Sequence, residues 1–131
     1  MDKPFFSIIT PVLNGEKFIE ETIKSVLGQS YKNFEYIVID GDSQDRTKEI
    51  ISKYIIHIKK FVSEKDEGMY HAIKKGFDLS RGKYLLWLNS DDFLENNDVL
   101  INIKNYLSNN PNVEWLVGKP SYRYENIKKI I

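Results

Sequence analysis

Cysteine is absent from the 131 residues, and that one absence removes disulfides, zinc-thiolate clusters and thiol nucleophiles together. It is compatible with a reducing cytoplasm. No sign of charge dominates either, because 19 acidic residues balance 19 basic ones. A chain with no net field does not gather polyanions by bulk attraction, so nucleic acid is not an expected partner and any anion site has to be local. Long apolar runs are missing as well. The longest, YLLWL at 84–88, has five residues, against the roughly 20 needed to cross a bilayer. The first residues, MDKP, lack a basic region, and Pro11 interrupts the apolar stretch behind them, which makes a poor signal peptide and leads to the expectation that the domain starts at once.

What is present is an alternation of strand-length apolar clusters with helix-period segments, each change marked by Gly, Asn, Asp or Ser. FFSIIT (5–10), closed by Pro11, suits a strand buried on both faces. Ile19, Ile23, Val26 and Leu27 then form one helical stripe. FEYIVI (34–39) reads as the second strand and is followed by a helix over 46–54, with Ser43 or Asp45 as its cap. A more polar strand at 57–63 suits a sheet edge. Met69, Ala72, Ile73, Gly76 and Phe77 mark a third helix, YLLWL the most hydrophobic strand, 98–107 a fourth helix and 113–117 a last short strand. Trp87 and Trp115 are expected in the core or on a sheet face. Strands joined by helical crossovers run parallel, and right-handed crossovers put helices on both faces. The expected fold is therefore α/β, a three-layer α/β/α sandwich on a mostly parallel, Rossmann-like sheet. One domain over 1–118 is expected, with 119–131 a tail of no strong pattern.

Ligands of open parallel sheets collect beyond the carboxyl ends of the strands. Those ends carry Pro11-Val12-Leu13-Asn14, Asp40-Gly41-Asp42, Glu64-Lys65-Asp66-Glu67-Gly68 and Asn89-Ser90-Asp91-Asp92. One such cluster is ordinary turn chemistry. Together on one rim, the carboxylates are expected to repel unless cations or donors join them, and a divalent metal would do so. No G-x-G-x-x-G follows the first strand, and the P-loop-like segment 76–83 has the wrong spacing and precedes a strand. His57 and His71 lack a partner at helical spacing and read as an edge-strand and a helix-surface residue, and the lysine pairs read as solvated charge, of which Lys74 or Lys75 could still approach a phosphate.

The ordered series TPVLN, SVLGQ, IDGDSQD-x-T, SEKDEGMYHAIKKG, SRGKY and LNSDD resembles family 2 inverting glycosyltransferases of the GT-A fold, bacterial polysaccharide-biosynthesis members especially, over residues 5–107. The resemblance implies a nucleoside-diphosphate sugar donor, a saccharide or lipid-linked acceptor, Mn²⁺ or Mg²⁺ as cofactor, and a cytoplasmic protein that can associate peripherally with the inner face of the membrane. By resemblance, Pro11, Val12 and Asn14 line the nucleotide site, Asp40 bonds the base edge with Asp66 beside it, Asp91 binds ribose or donor sugar, and Asp92 ligates the metal. Leu13 stands where many members carry tyrosine, and His71 and Lys74 replace an Asp and an Asn of the third-helix pattern. Members continue for roughly another half domain that supplies the acceptor site and the general base. No carboxylate here takes the base role by motif, so the alternative expectation is a donor-binding fragment without transfer activity.

Overall fold

The computed structural model describes residues 2–119, 121–123 and 128–130. Its main sheet has the order β3-β2-β1-β4, with β1 at Phe6–Val12, β2 at Phe34–Asp40, β3 at Lys60–Ser63 and β4 at Tyr84–Trp87. Every pairing in it is parallel, β1 matching β2 from Phe6 opposite Phe34 to Val12 opposite Asp40. Because side chains alternate along a strand, β1 and β2 feed two cores. Phe6, Ile8, Tyr36 and Val38 pack with α1 (Ile19–Leu27) and α4 (Val99–Asn109), whereas Ile9, Ile37 and Ile39 pack under α3 (Met69–Leu79). The short α2 (Thr47–Ser52) adds Ile50 and Ile51 to the first core. The three-layer α/β/α arrangement is thus as expected.

Small contacts set the close approaches. A Cβ on Gly76 of α3 would come within 2.5 Å of the Ile9 side chain, so glycine there lets α3 lie tight on β1. In the first core the buried Tyr36 hydroxyl and Thr10 Oγ1 bond to each other at 2.8 Å, and burial pushes the Tyr36 phenol well above its ordinary pKa.

The structure differs from expectation in several elements. β3 begins only at Lys60, because residues Ile55–His57 form a 3₁₀ turn. The YLLWL strand, the most hydrophobic by composition, pairs with β1 alone among the described residues and so forms an edge of the sheet, where Leu85 and Trp87 are 45% and 40% exposed. Trp87 meets the Tyr70 ring of α3 edge to face, at 6.1 Å between centroids, and donates Nε1–H to Asn89 Oδ1. Residues 113–117 form no strand, and Trp115 and Val117 are 85% and 92% exposed, since no ladder partner lies beside them among the described residues. Phe77 and Met69, expected inward, are nearly half exposed at the flank of α3.

Part of the expected tail is strand. β7 (Lys128–Ile130) runs parallel to β5 (Asp92–Phe93) and antiparallel to β6 (Ser121–Arg123), which makes a second sheet ordered β5-β7-β6. Residues 120, 124–127 and 131 of that stretch lie outside the described residues.

Candidate functional site: a cleft beyond the carboxyl ends of the strands

A cleft of about 640 Å³ opens past the carboxyl ends of β1, β3 and β4. The end of β1 and the chain after it supply Pro11 to Gly15 with Lys17 and Phe18, the loop before α3 supplies Asp66 and Gly68, α3 adds Met69 and Ala72, and the loop after β4 adds Asn89, Ser90 and Asp91. A smaller hollow of about 320 Å³ lies at the opposite end of the sheet, around Glu35, Lys59 and Arg81. The strand-end rule for ligands favours the first.

Of the residues expected in the site, Pro11, Val12, Asn14, Asp66 and Asp91 share the cleft wall. Asp40 and Asp92 do not line it. Asp40 is 0% exposed, and its carboxylate accepts the Ser43 amide at 3.0 Å, the Ser43 hydroxyl at 2.5 Å and the Ser63 hydroxyl at 2.7 Å. In this geometry it organises the loops behind the cleft. Asp92 is 1% exposed and belongs to β5, so of the adjacent pair it is Asp91 that faces the opening.

The walls are tied down by hydrogen bonds whose residues the sequence motifs contain. Asn14 has a positive φ of 51°, and the loop it leads is stapled to the turn after β2. The Asn14 amide donates to Ser43 Oγ at 2.7 Å, the Gly15 amide to Thr47 Oγ1 at 2.8 Å and the Glu16 amide to Asp45 Oδ2 at 3.1 Å, while Asn14 Oδ1 accepts the Gln44 amide. Asp45 Oδ1 also accepts the Thr47 amide at 2.9 Å at the start of α2, although Arg46, and neither Ser43 nor Asp45, holds the cap position expected of them. Burial acts to raise the Asp45 pKa, but the bonds from the Thr47 side chain and backbone and from Glu16 outweigh it and hold the group below its ordinary value. On the second wall Asp66 Oδ1 accepts the Gly68 amide at 3.0 Å, and a Cβ on Gly41 would crowd Asp66 Oδ2 at 3.0 Å. Gly68 has φ 114°, a conformation that favours glycine and lets the chain turn into α3.

The third wall is held from α1. Thr22 Oγ1 lies 2.9 Å from the carbonyl oxygen of Ser90 and 2.5 Å from that of Asp92. Ser25 Oγ accepts the Leu94 amide, and the buried Gln29 donates to the Asn96 carbonyl and accepts the Leu100 amide. The SVLGQ segment therefore anchors the chain on either side of the Asp91 loop.

Sequence reasoning missed these supports. Thr22 carried no motif signal, and His71, read as a surface residue, accepts the Glu67 amide through Nδ1 at 2.9 Å next to the first turn of α3. A histidine close behind a glycine that opens a helix was the available clue. The expected electrostatic conflict also shrinks, because Asp42 pairs with Lys48 at 2.7 Å and Glu64 with Lys75 at 3.0 Å. Lys74 pairs with Asp78 at 2.8 Å. Neither middle lysine lines the cleft.

Among the described residues no group of three or more His, Cys, Asp or Glu converges tightly enough to hold a metal ion alone. A cation of the magnesium type takes one or two carboxylates and completes its shell with substrate phosphates and water, and Asp91 fits that lesser demand. A closed cage of protein ligands does not fit.

Fold and cleft together define an α/β domain with a candidate ligand cleft at its strand ends. Residues 7–126 match the family described as glycosyl transferase family 2, and the chain belongs to that family. It is 39% identical over 99 residues to an uncharacterized glycosyltransferase of Haemophilus influenzae, covering 73% of this chain and 40% of that protein. It is 30% identical over 136 residues to the PGL/p-HBAD biosynthesis glycosyltransferase of Mycobacterium tuberculosis, covering 98% and 51%. Among solved structures, S. aureus TarS in complex with UDP-GlcNAc superposes with a TM-score of 0.72 at 27% identity over 79% of this chain and 31% of that one. The fold is that of GT-A enzymes. The chain spans only about a third to a half of the length of the curated relatives it matches first, from 34% to 51%.

Proposed function

We propose that this chain is the donor-binding part of an inverting glycosyltransferase that moves a sugar from a nucleoside-diphosphate sugar to a saccharide or lipid-linked acceptor, in the cytoplasm and at the inner face of the membrane. The observation that carries the reading is the cleft itself: in a family 2 chain, Asp66 and Asp91 line one opening of about 640 Å³ beyond the strand ends. That S. aureus TarS, at 27% identity, binds UDP-GlcNAc supports a nucleotide-sugar ligand of this kind.

In this reading the backbone of Pro11 and Val12 flanks the base and Leu13 offers it an aliphatic side. Asp66 accepts from base or ribose donors, and an acceptor left unpaired by the wrong base discriminates against it. Asp40 contributes indirectly, through Ser43 and the Asn14 loop. Asp91, rather than the more deeply buried Asp92, is the carboxylate proposed to face Mn²⁺ or Mg²⁺. Such an ion, bound, would act as a Lewis acid on charge developing at the departing diphosphate. Asp91 would orient the donor's sugar side with it. Neither Asp66 nor Asp91 is proposed as general base, since both are engaged with the donor.

A thermal-shift panel of UDP, GDP and dTDP with and without Mn²⁺ tests this. A nucleotide at 100-fold its Kd raises stability by about 2.7 kcal/mol, a shift of several degrees. One diphosphate should stabilise the chain more with Mn²⁺ than without. Asp91→Ala should remove the Mn²⁺-dependent increment and keep the unliganded melting temperature, whereas Asp92→Ala should lower that temperature. No stabilisation by any of the nucleotides would defeat the proposal.

A further inference from the structure

We infer that Lys17 is the residue that meets the diphosphate of the donor, an inference that rests on the nucleotide reading of the cleft. Among the described residues lining the cleft, Lys17 is the one basic side chain, set against the carboxylates Asp66 and Asp91. The lysines that the sequence offered for a phosphate are committed elsewhere, Lys74 to Asp78 and Lys75 to Glu64. Lys48 is likewise bound to Asp42. Lys17 forms no ion pair among the described residues, and its ammonium stands 5.3 Å from the centre of the Phe18 ring, the next cleft residue. A cation held against an aromatic face keeps its donors available while losing some of its freedom, which lowers the entropy cost of capturing an anion.

The position suits a phosphate. Lys17 follows the Asn14-Gly15-Glu16 turn, whose backbone is fixed by Ser43, Thr47 and Asp45, so its stem leaves a rigid base two residues before α1. A dianionic diphosphate entering between Asp66 and Asp91 meets two like charges, and a cation in the cleft offsets their repulsion. Lysine serves this as a compact point charge, with no demand for bidentate geometry.

The test compares each nucleoside with its diphosphate on the full 131-residue chain, uridine with UDP and guanosine with GDP, by calorimetry in Mn²⁺ at low and at high salt. Lys17→Met should weaken the preferred diphosphate roughly three- to tenfold at low salt and less at high salt, as expected for a solvent-accessible ion contact. It should leave the nucleoside affinity within about twofold, and Lys17→Arg should restore most of the diphosphate affinity. Equal affinity of native and Lys17→Met chains for the diphosphate overturns the inference and leaves the nucleotide site standing. Equal losses for nucleoside and diphosphate overturn it too, placing Lys17 against the base or ribose. If the native chain binds neither, the nucleotide reading fails, and the role of Lys17 with it.

Discussion

The Ser43 hydroxyl donates to the buried carboxylate of Asp40 at 2.5 Å, and the same oxygen accepts the Asn14 amide at 2.7 Å. A side chain with no exposure thereby fixes the first wall of the cleft. Asp40→Ala leaves the Ser43 amide and the Ser43 and Ser63 hydroxyls without their acceptor. Losing a buried charged acceptor costs about 1–3 kcal/mol, read as a lower midpoint in urea unfolding. Nucleotide affinity should fall with and without Mn²⁺, because the damage lies in loop position. Asp40→Asn keeps one acceptor oxygen and should lose less in both measurements. A fully stable Asp40→Ala chain with normal affinity contradicts this account.

Thr22 makes a similar prediction for the third wall. Its hydroxyl lies against the Ser90 and Asp92 carbonyls that bracket Asp91. Thr22→Val keeps the shape and removes the donor, at a cost of about 1 kcal/mol. The Mn²⁺-dependent part of nucleotide binding should weaken more than the metal-free part, and Thr22→Ser should recover it. Parallel loss of both parts would make Thr22 a general stability residue only.

Acid stability should report Asp45. Its pKa is held below the ordinary value of 3.8 by bonds from Thr47 and Glu16, net of an opposing effect of burial. A depressed folded-state pKa means that the unfolded chain binds the proton first as pH falls. The contribution is therefore complete above about pH 5 and is lost through and below pH 4. Asp45→Ala should cost about 1 kcal/mol at pH 7, as for lost hydrogen bonds to a partly buried carboxylate, and should flatten the fall in melting temperature between pH 5 and pH 3. An unchanged acid slope in the variant would remove Asp45 from the explanation.

How far the sequence revealed this molecule depended on periodicity. β1 and β2 were legible because an apolar run buried on both faces has few other solutions, and the motif glycines Gly41, Gly68 and Gly76 stand where a Cβ or a negative φ would be unfavourable. The cleft residues Pro11, Asn14, Asp66 and Asp91 were legible because they sit at or just past the carboxyl ends of strands. Burial was not. Asp40 and Asp92 look like any loop carboxylate in one dimension, and only the packing of Ser43, Ser63 and β5 around them separates support from lining. VEWLV failed for the opposite reason, since apolar content indicates a strand only if a partner edge is within reach.

That leaves β4, the most hydrophobic strand by composition. Among the described residues it pairs only with β1, so its outer row of backbone groups faces solvent beside the exposed Leu85 and Trp87. An apolar edge without charge or proline is a template for further pairing. The flank of α3 extends the patch with Tyr70 and Phe77. The isolated 131-residue chain should therefore associate with rising concentration, seen in sedimentation velocity as a shift away from the monomer at tens of micromolar. Leu85→Lys puts a charge on that edge and should restore the monomer, the device by which natural edge strands resist pairing. Because Leu85 is already half exposed, its unfolding free energy should move by no more than about 0.5 kcal/mol. A native chain that stays monomeric throughout, or a Leu85→Lys chain that associates as strongly, would show that the β4 edge is covered by something other than a second molecule.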